Sequence, residues 1–136
     1  MKVKELLMEG MSKRDTFSIL LEFIRFAAEH LELDKLPQFD FKFDSKRSIE
    51  HSSFGGYGPH EKHITITVLN RHIMDVCRTL AHELVHFKQD LEDQLNDPEA
   101  GSTGSPQENE ANAQAAVIMR KWGAEHPDYF DKESIA

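Results

Sequence analysis

Two histidines flank a glutamate in the segment His82-Glu83-Leu84-Val85-His86. On a helix, residues at positions i and i+4 lie on one face, so both imidazoles can bind one metal ion. The glutamate between them can then reach a water molecule on that ion. The segment therefore predicts a Zn²⁺ site with His82 and His86 as ligands and Glu83 as general base.

The residues around this motif predict a long amphipathic helix. At about 100° per residue, an apolar stripe covers one face and both histidines fall on the opposite face. The stripe consists of Ile73, Val76, Cys77, Leu80, Leu84, Phe87 and Leu91. Asn70 is the predicted cap of this helix, which runs from about Arg71 into the region 90–95. The alternative is a surface helix whose histidines are only solvated.

A third ligand is expected from a later helix, because a catalytic zinc site has three protein ligands and one position for water. Helical spacing puts Glu108 on the apolar side of that helix and Glu110 on the solvent side. The apolar side also carries Ala111, Ala115, Ile118, Met119 and Trp122. Ser105 and Glu108 form a capping-box pattern, so Glu108 is either the third ligand or only a helix cap, with Glu110 a weaker third option.

This arrangement resembles a known class of zinc peptidase. The histidine motif followed by Glu108 is similar to the gluzincin pattern, in which a glutamate that opens a later helix completes the zinc site. Over residues 63–122 the chain resembles the small ImmA/IrrE-like zinc peptidases. The resemblance implies a minimal zincin-like fold, and it implies that Asn112 supports one of the metal-binding histidines.

The chemistry expected of such a site is hydrolysis of a peptide bond. One Zn²⁺ ion lowers the pKa of its bound water, Glu83 accepts the proton, and the hydroxide attacks a peptide carbonyl. In similar enzymes the strand before the metal helix pairs with the substrate, which here means the residues from Ile64 to Val68. The expected partner is therefore a protein or peptide in extended conformation.

The rest of the chain predicts an α+β fold. Helical periodicity over residues 16–31, with Ser12 and Asp15 as alternative starts, predicts an N-terminal helix. Period-two alternation over residues 39–43 and 64–68 predicts strands, and a further strand is expected from Ile49 towards Tyr57. The glycine-rich residues 55–59 are predicted to form a bend. The sheet is expected to be small and mostly antiparallel.

Length and charge narrow the class of protein. A chain of 136 residues suits one domain, and the only cysteine, Cys77, excludes an intramolecular disulfide. A net charge of −8 without a cluster of Lys and Arg argues against nucleic-acid binding. The apolar runs are too short for a membrane span, and the N-terminus lacks the apolar core of a secretory signal. The expected location is the cytoplasm of a cell.

The first ten residues carry a second resemblance. They are basic, then apolar, and end in Leu7-Met8-Glu9-Gly10. This resembles the capsid-targeting peptides of T-even-like tailed phages, which implies prohead cleavage between Glu9 and Gly10 and packaging in a virion within a host cell. Residues 1–10 would then be a cleavable peptide, and residues 11–136 a single metallopeptidase domain. The alternative is an ordinary flexible or helical N-terminus.

Two other functions fit the same residues. One is a non-catalytic protein, packaged in a phage head, in which zinc only ties the two helices together. The other is a zinc hydrolase that acts on a non-peptide bond. Structural zinc sites usually have four protein ligands and have no use for a base, so Glu83 favours catalysis.

Overall fold

A computed structural model describes residues 10–43, 55–59, 61–95 and 103–136. In these ranges the protein has the α+β architecture that the sequence predicts, with a mixed three-stranded sheet and two long helices packed together. The elements are helix α1 (Lys13–His30), strands β1 (Gln38–Lys42), β2 (Gly55–Gly58) and β3 (His63–Thr67), helices α2 (Ile73–Leu91) and α3 (Pro106–Glu125), and a 3₁₀ helix (Pro127–Asp131).

The sheet has the strand order β1-β3-β2. Strand β3 pairs antiparallel with β2, where Ile64 faces Tyr57, and parallel with β1, where Ile66 faces Phe41. The prediction of a mostly antiparallel sheet is therefore wrong for β1. After β1, the chain forms β2 at the opposite edge of the sheet and then forms β3 between the two. Alternating apolar residues show which face of a strand is buried, but they do not show its direction.

The central position of β3 corrects the expected substrate strand. Its backbone bonds to β1 on one side and to β2 on the other, and Val68 N donates a hydrogen bond to Lys42 O at 2.9 Å. Over residues 64–66, both edges of β3 are therefore occupied by neighbouring strands, which leaves no edge there for a substrate strand. Both isoleucines of this strand are fully buried, as expected for a strand in the middle of a sheet.

The predicted glycine-rich bend is instead an edge strand of the described sheet, β2. A Cβ atom on Gly55 would lie 2.5 Å from Thr79 Cγ2 and 3.0 Å from Ile66 Cδ1. Glycine at this position lets the strand pass close to helix α2, which explains why a sequence typical of a turn forms a strand here. Of the predicted strand from Ile49 towards Tyr57, only residues 55–57 are described, and they do belong to a strand, β2.

Side-chain caps begin the two outer helices where the sequence indicates. Ser12 Oγ accepts a hydrogen bond from Asp15 N at 3.1 Å at the start of α1. Ser105 Oγ accepts one from Glu108 N at 3.1 Å at the start of α3, with Pro106 at the first helical position. Each cap satisfies one of the free amides of a first helical turn.

Helix α2 begins two residues later than predicted. Its cap is His72, whose Nδ1 accepts a hydrogen bond from Met74 N at 3.1 Å, whereas Asn70 was the predicted cap. Asn70 has a φ of +62° and donates its backbone N–H to Ile135 O. It therefore forms part of a turn that docks against the C-terminal residues, a conformation that asparagine tolerates better than most side chains do.

The apolar stripe of α2 forms the centre of the core. Six of its members are buried, namely Ile73, Val76, Cys77, Leu80, Leu84 and Phe87, and Leu91 is half-buried. Burial raises the pKa of the Cys77 thiol, which supports the predicted packing role of this residue. Among the described residues, no helix is long and apolar enough to cross a membrane.

Gly10, the residue after the predicted cleavage point, lies close to the C-terminal residues. Gly10 has a φ of +78°, and a Cβ atom there would overlap the carbonyl oxygen of Ser134. Met11 follows it, is buried and pairs with Ile135. The local fold thus gives a reason for glycine at position 10. Glu9 lies outside the described residues, so cleavage between Glu9 and Gly10 stays a prediction.

The close packing of β2 on α2 predicts different effects for two neighbouring glycines. Gly55→Ala should lower the free energy of unfolding by about 1–3 kcal/mol, because the new methyl group overlaps Thr79. The Thr79 hydroxyl already bonds to Arg71 and to Asp75 O, which prevents an easy rotation. Gly56→Ala is the control, since a Cβ atom there meets nothing within 4 Å. Urea unfolding of both variants measures the difference, and equal losses would contradict the packing argument.

Candidate metal centre

The three predicted ligands meet at one point between α2 and α3. His82 and His86 lie one turn apart on the polar face of α2, and Glu108 lies in the first turn of α3. His82 Nε2 is 2.8 Å from Glu108 Oε1, and His86 Nε2 is 3.1 Å from Glu108 Oε2. The two Nε2 atoms are 3.2 Å apart. These three side chains are therefore placed so that they could hold one metal ion.

The spacing of the two imidazole nitrogens is suited to a tetrahedral ion. Ligand atoms at bond lengths of 2.0–2.1 Å around zinc are separated by roughly 3.3 Å along each edge of the tetrahedron. The His82 and His86 Nε2 atoms, 3.2 Å apart, are close to that value, and each of them approaches a different oxygen of Glu108, at 2.8 and 3.1 Å. A set of two imidazoles and one carboxylate suits zinc and also other first-row divalent metals. The geometry thus fits a metal ion without identifying which one.

The environment of His82 favours a neutral imidazole, the form that binds metals. Burial lowers the pKa of His82, an effect that the charge of Glu108 opposes and the neighbouring His86 reinforces. A hydrogen bond with Asn112 raises the same pKa. Asn112 itself is exposed, one turn after Glu108 on α3. It lies within hydrogen-bonding reach of His82.

Glu108 is placed both for capping by Ser105 and for binding a metal ion, the two alternatives that its sequence position left open. Its backbone N–H is capped by Ser105 Oγ, whereas its carboxylate points at the two histidines rather than only closing a capping box. The adjacent candidate Glu110 is exposed, as predicted, and lies outside the cluster of ligand atoms. One of its oxygens accepts a hydrogen bond from Gln89 at 2.8 Å.

Gln89 is the residue of this centre that the sequence analysis missed. Its side chain is fully buried, and its Oε1 lies 2.8 Å from His86 Nδ1. Its Nε2 donates hydrogen bonds to Gln107 O at 2.9 Å and to Glu110 Oε1. The only signal in the sequence was its spacing, three residues after His86 on the same helical face. That spacing is equally typical of a solvated glutamine.

Glu83 lies on α2 between the histidine face and the face that packs on the sheet. Its side chain is only 8 % exposed, and burial raises its pKa to about 7. The charge of Glu108 raises this pKa further, and that of His86 lowers it. A metal cation held by the neighbouring ligands would lower it as well. A carboxyl group with a pKa near neutrality is suited to accept and return a proton.

Other polar side chains around β2 and the start of α2 have structural partners. Tyr57 donates its hydroxyl hydrogen to Asp90 Oδ2 at 2.5 Å and packs edge-on against Phe87, and Lys62 pairs with the same aspartate. Burial and the bond to Asp90 raise the pKa of Tyr57. His72 caps α2. These contacts fasten the β2 end of the sheet and the start of the helix.

Neither models of known protein families nor curated proteins match this sequence, and no solved structure matches its fold. The resemblance to the gluzincins and to the ImmA/IrrE-like peptidases therefore stays a prediction. The case for a function rests on the side chains of the metal centre.

The geometry predicts that Glu108→Ala removes the metal. Without the carboxylate, two histidines remain, and affinity for Zn²⁺ should fall by more than the 10–100-fold that is typical of residues that only support a ligand. Glu125→Ala is the matched control, because this exposed glutamate lies at the other end of α3. Elemental analysis and competition with a chromophoric chelator measure the change. Equal metal content in both variants would exclude Glu108 as a ligand.

Proposed function

We propose that the protein is a zinc-dependent peptidase with His82, His86 and Glu108 as metal ligands and Glu83 as general base. The observation that carries the proposal is a buried carboxylate beside a cluster of three ligands. Among the described residues, the cluster offers three protein ligands, which leaves one position of a tetrahedral ion for water. A structural site would normally use that position for a fourth side chain.

The roles of the side chains follow from their positions. Zinc, when bound, would make a water molecule more acidic and would polarise the carbonyl group of the substrate. Glu83 extends from the helical position next to His82, close enough to the ligands for the charges of His86 and Glu108 to affect its pKa. It accepts the proton of the attacking water and transfers it to the leaving amine. Its burial keeps bulk water from competing for that proton.

Strand β2 is the edge that best suits an extended substrate. Gly55 lies against Thr79 and Tyr57 against Asp90, so the strand follows the side of α2 from which Glu83 projects. Three of its four residues are glycines, which offer backbone groups and no side chains. A peptide added to this edge would bind through main-chain hydrogen bonds with little sequence preference. This proposal replaces the pairing with β3.

The two alternative functions, packaging in a virion and hydrolysis of a non-peptide bond, depend on different features of the chain. Packaging in a virion depends on the first nine residues, which lie outside the described ranges. Hydrolysis of a non-peptide bond would use the same ligands and base, and the edge strand β2 is the feature that favours a peptide over it. Location in the cytoplasm of a host cell belongs with these proposals.

Replacing the proposed base should separate metal binding from turnover. Glu83→Gln should keep stoichiometric zinc and lose about 10²–10⁴-fold in the rate of peptide cleavage, because the amide cannot accept the proton. Cleavage profiling on a denatured proteome, read by mass spectrometry of new N-termini, measures activity whatever the natural substrate is. Chelation of the metal should abolish the same set of cleavages, and added Zn²⁺ should restore them.

Glu92→Gln is the matched control for this experiment. Glu92 is an exposed glutamate directly after the end of α2, and its replacement should leave both zinc content and cleavage unchanged. Zinc binding without cleavage by the native protein would refute the peptidase proposal and favour a non-catalytic zinc protein. Absence of zinc from the native protein would refute the metal centre itself.

A further inference from the structure

Gln89 is a fully buried polar residue that connects the two helices of the metal centre. It is on α2, one turn after His86, and its side-chain amide makes three hydrogen bonds. Burying an amide costs free energy unless its donors and acceptor are satisfied. Here both hydrogens and the oxygen of the Gln89 amide have partners, and these three hydrogen bonds together fix the position of the side chain.

The partners leave one orientation for the amide. Gln107 O and Glu110 Oε1 are both acceptors, so the nitrogen of Gln89 must face them. The oxygen must then face His86 Nδ1, and this nitrogen has to donate a hydrogen. The second ring nitrogen of His86, Nε2, is the one that points at Glu108 and His82. A proton held on Nδ1 leaves the lone pair of Nε2 free for a metal ion.

We propose that Gln89 is a positioning residue that fixes the tautomer and the ring orientation of His86 for metal binding. This inference rests on the metal centre of the proposed function, and it adds a residue that acts through a ligand. Glu108 Oε2 lies 3.1 Å from His86 Nε2 and would attract a proton to that nitrogen when no ion is bound. Gln89 acts against this by holding a proton on the opposite side of the ring.

The same amide also fixes the position of the third ligand. Its two acceptors, Gln107 and Glu110, lie on either side of Glu108 in the first turn of α3. Gln89 therefore ties the turn that carries the carboxylate to the helix that carries both imidazoles. Loss of this amide should disturb two ligands at once, although Gln89 does not itself belong to the cluster of ligand atoms.

Gln89→Met tests this role, because methionine has a similar length and cannot form the three hydrogen bonds. Zinc affinity should fall by about 10–100-fold, the range found for residues that support a metal ligand. Affinity is measured by competition with a chromophoric chelator, on protein that circular dichroism shows to be folded. A residue with only a structural role would lower the melting temperature without changing the affinity of the folded protein. Gln94→Met, at an exposed position just after α2, is the control.

A double substitution distinguishes hydrogen bonding from packing. Gln89→Glu combined with Glu110→Gln reverses donor and acceptor between these two residues, keeps an acceptor for His86 Nδ1 and gives up only the bond to Gln107 O. Zinc should bind to this double variant at least tenfold more tightly than to Gln89→Met. If Gln89→Met binds zinc with unchanged affinity, or if the double variant binds it as weakly as Gln89→Met, the proposed role of Gln89 is overturned. The proposed function of the protein is not affected by either result. A native protein that binds no zinc would overturn this inference together with the proposed function.

Discussion

The packing of the first turn of α3 against the polar face of α2 is the constraint on which the site depends. It brings one carboxylate within 3.1 Å of two imidazoles that share a helical face. Holding the two imidazoles and the carboxylate together there costs free energy, because these polar groups lose part of their hydration. Burial of the apolar stripe of α2 offsets this cost. A shift of α3 by one residue would turn Glu108 about 100° away from the histidines. The cap at Ser105 and the buried amide of Gln89 both oppose such a shift.

The sheet supplies the other wall of the site, and its glycines determine how close that wall lies. Gly55 lets β2 approach α2 at a distance that no larger residue permits, and the bond between Tyr57 and Asp90 holds the far end of the strand. Glu83 is buried and shares a helical face of α2 with Thr79 and Asp90, the residues next to Gly55 and Tyr57. The burial that raises the pKa of Glu83 thus occurs on the side of the helix that faces a strand with three glycines among its four residues.

The sequence predicted where helices and strands occur better than it predicted which elements lie next to one another. Periodicity identifies the buried face of α2 and the inward position of Glu108, because a helical face depends only on residue spacing. It could not show that β3 is central, since a buried edge strand and a central strand can have the same alternation. Gly55 was misinterpreted because close approach to another element and a turn both require glycine. Gln89 was missed because its partners come from α3, and no local pattern records which groups a distant helix will bring.

The two histidines are supported unequally, so the two sides of the site differ in how firmly they are held. His86 is held by a buried amide whose hydrogen bonds do not compete with water, whereas His82 is supported by the exposed Asn112. An exposed hydrogen bond contributes less than a buried one, because water can replace either partner at little cost. The His82 side is therefore the more adaptable side of the centre. Since Glu83 follows His82 directly on α2, the adaptable ligand and the proposed base are neighbours, while the opposite side is fixed to α3 through Gln89.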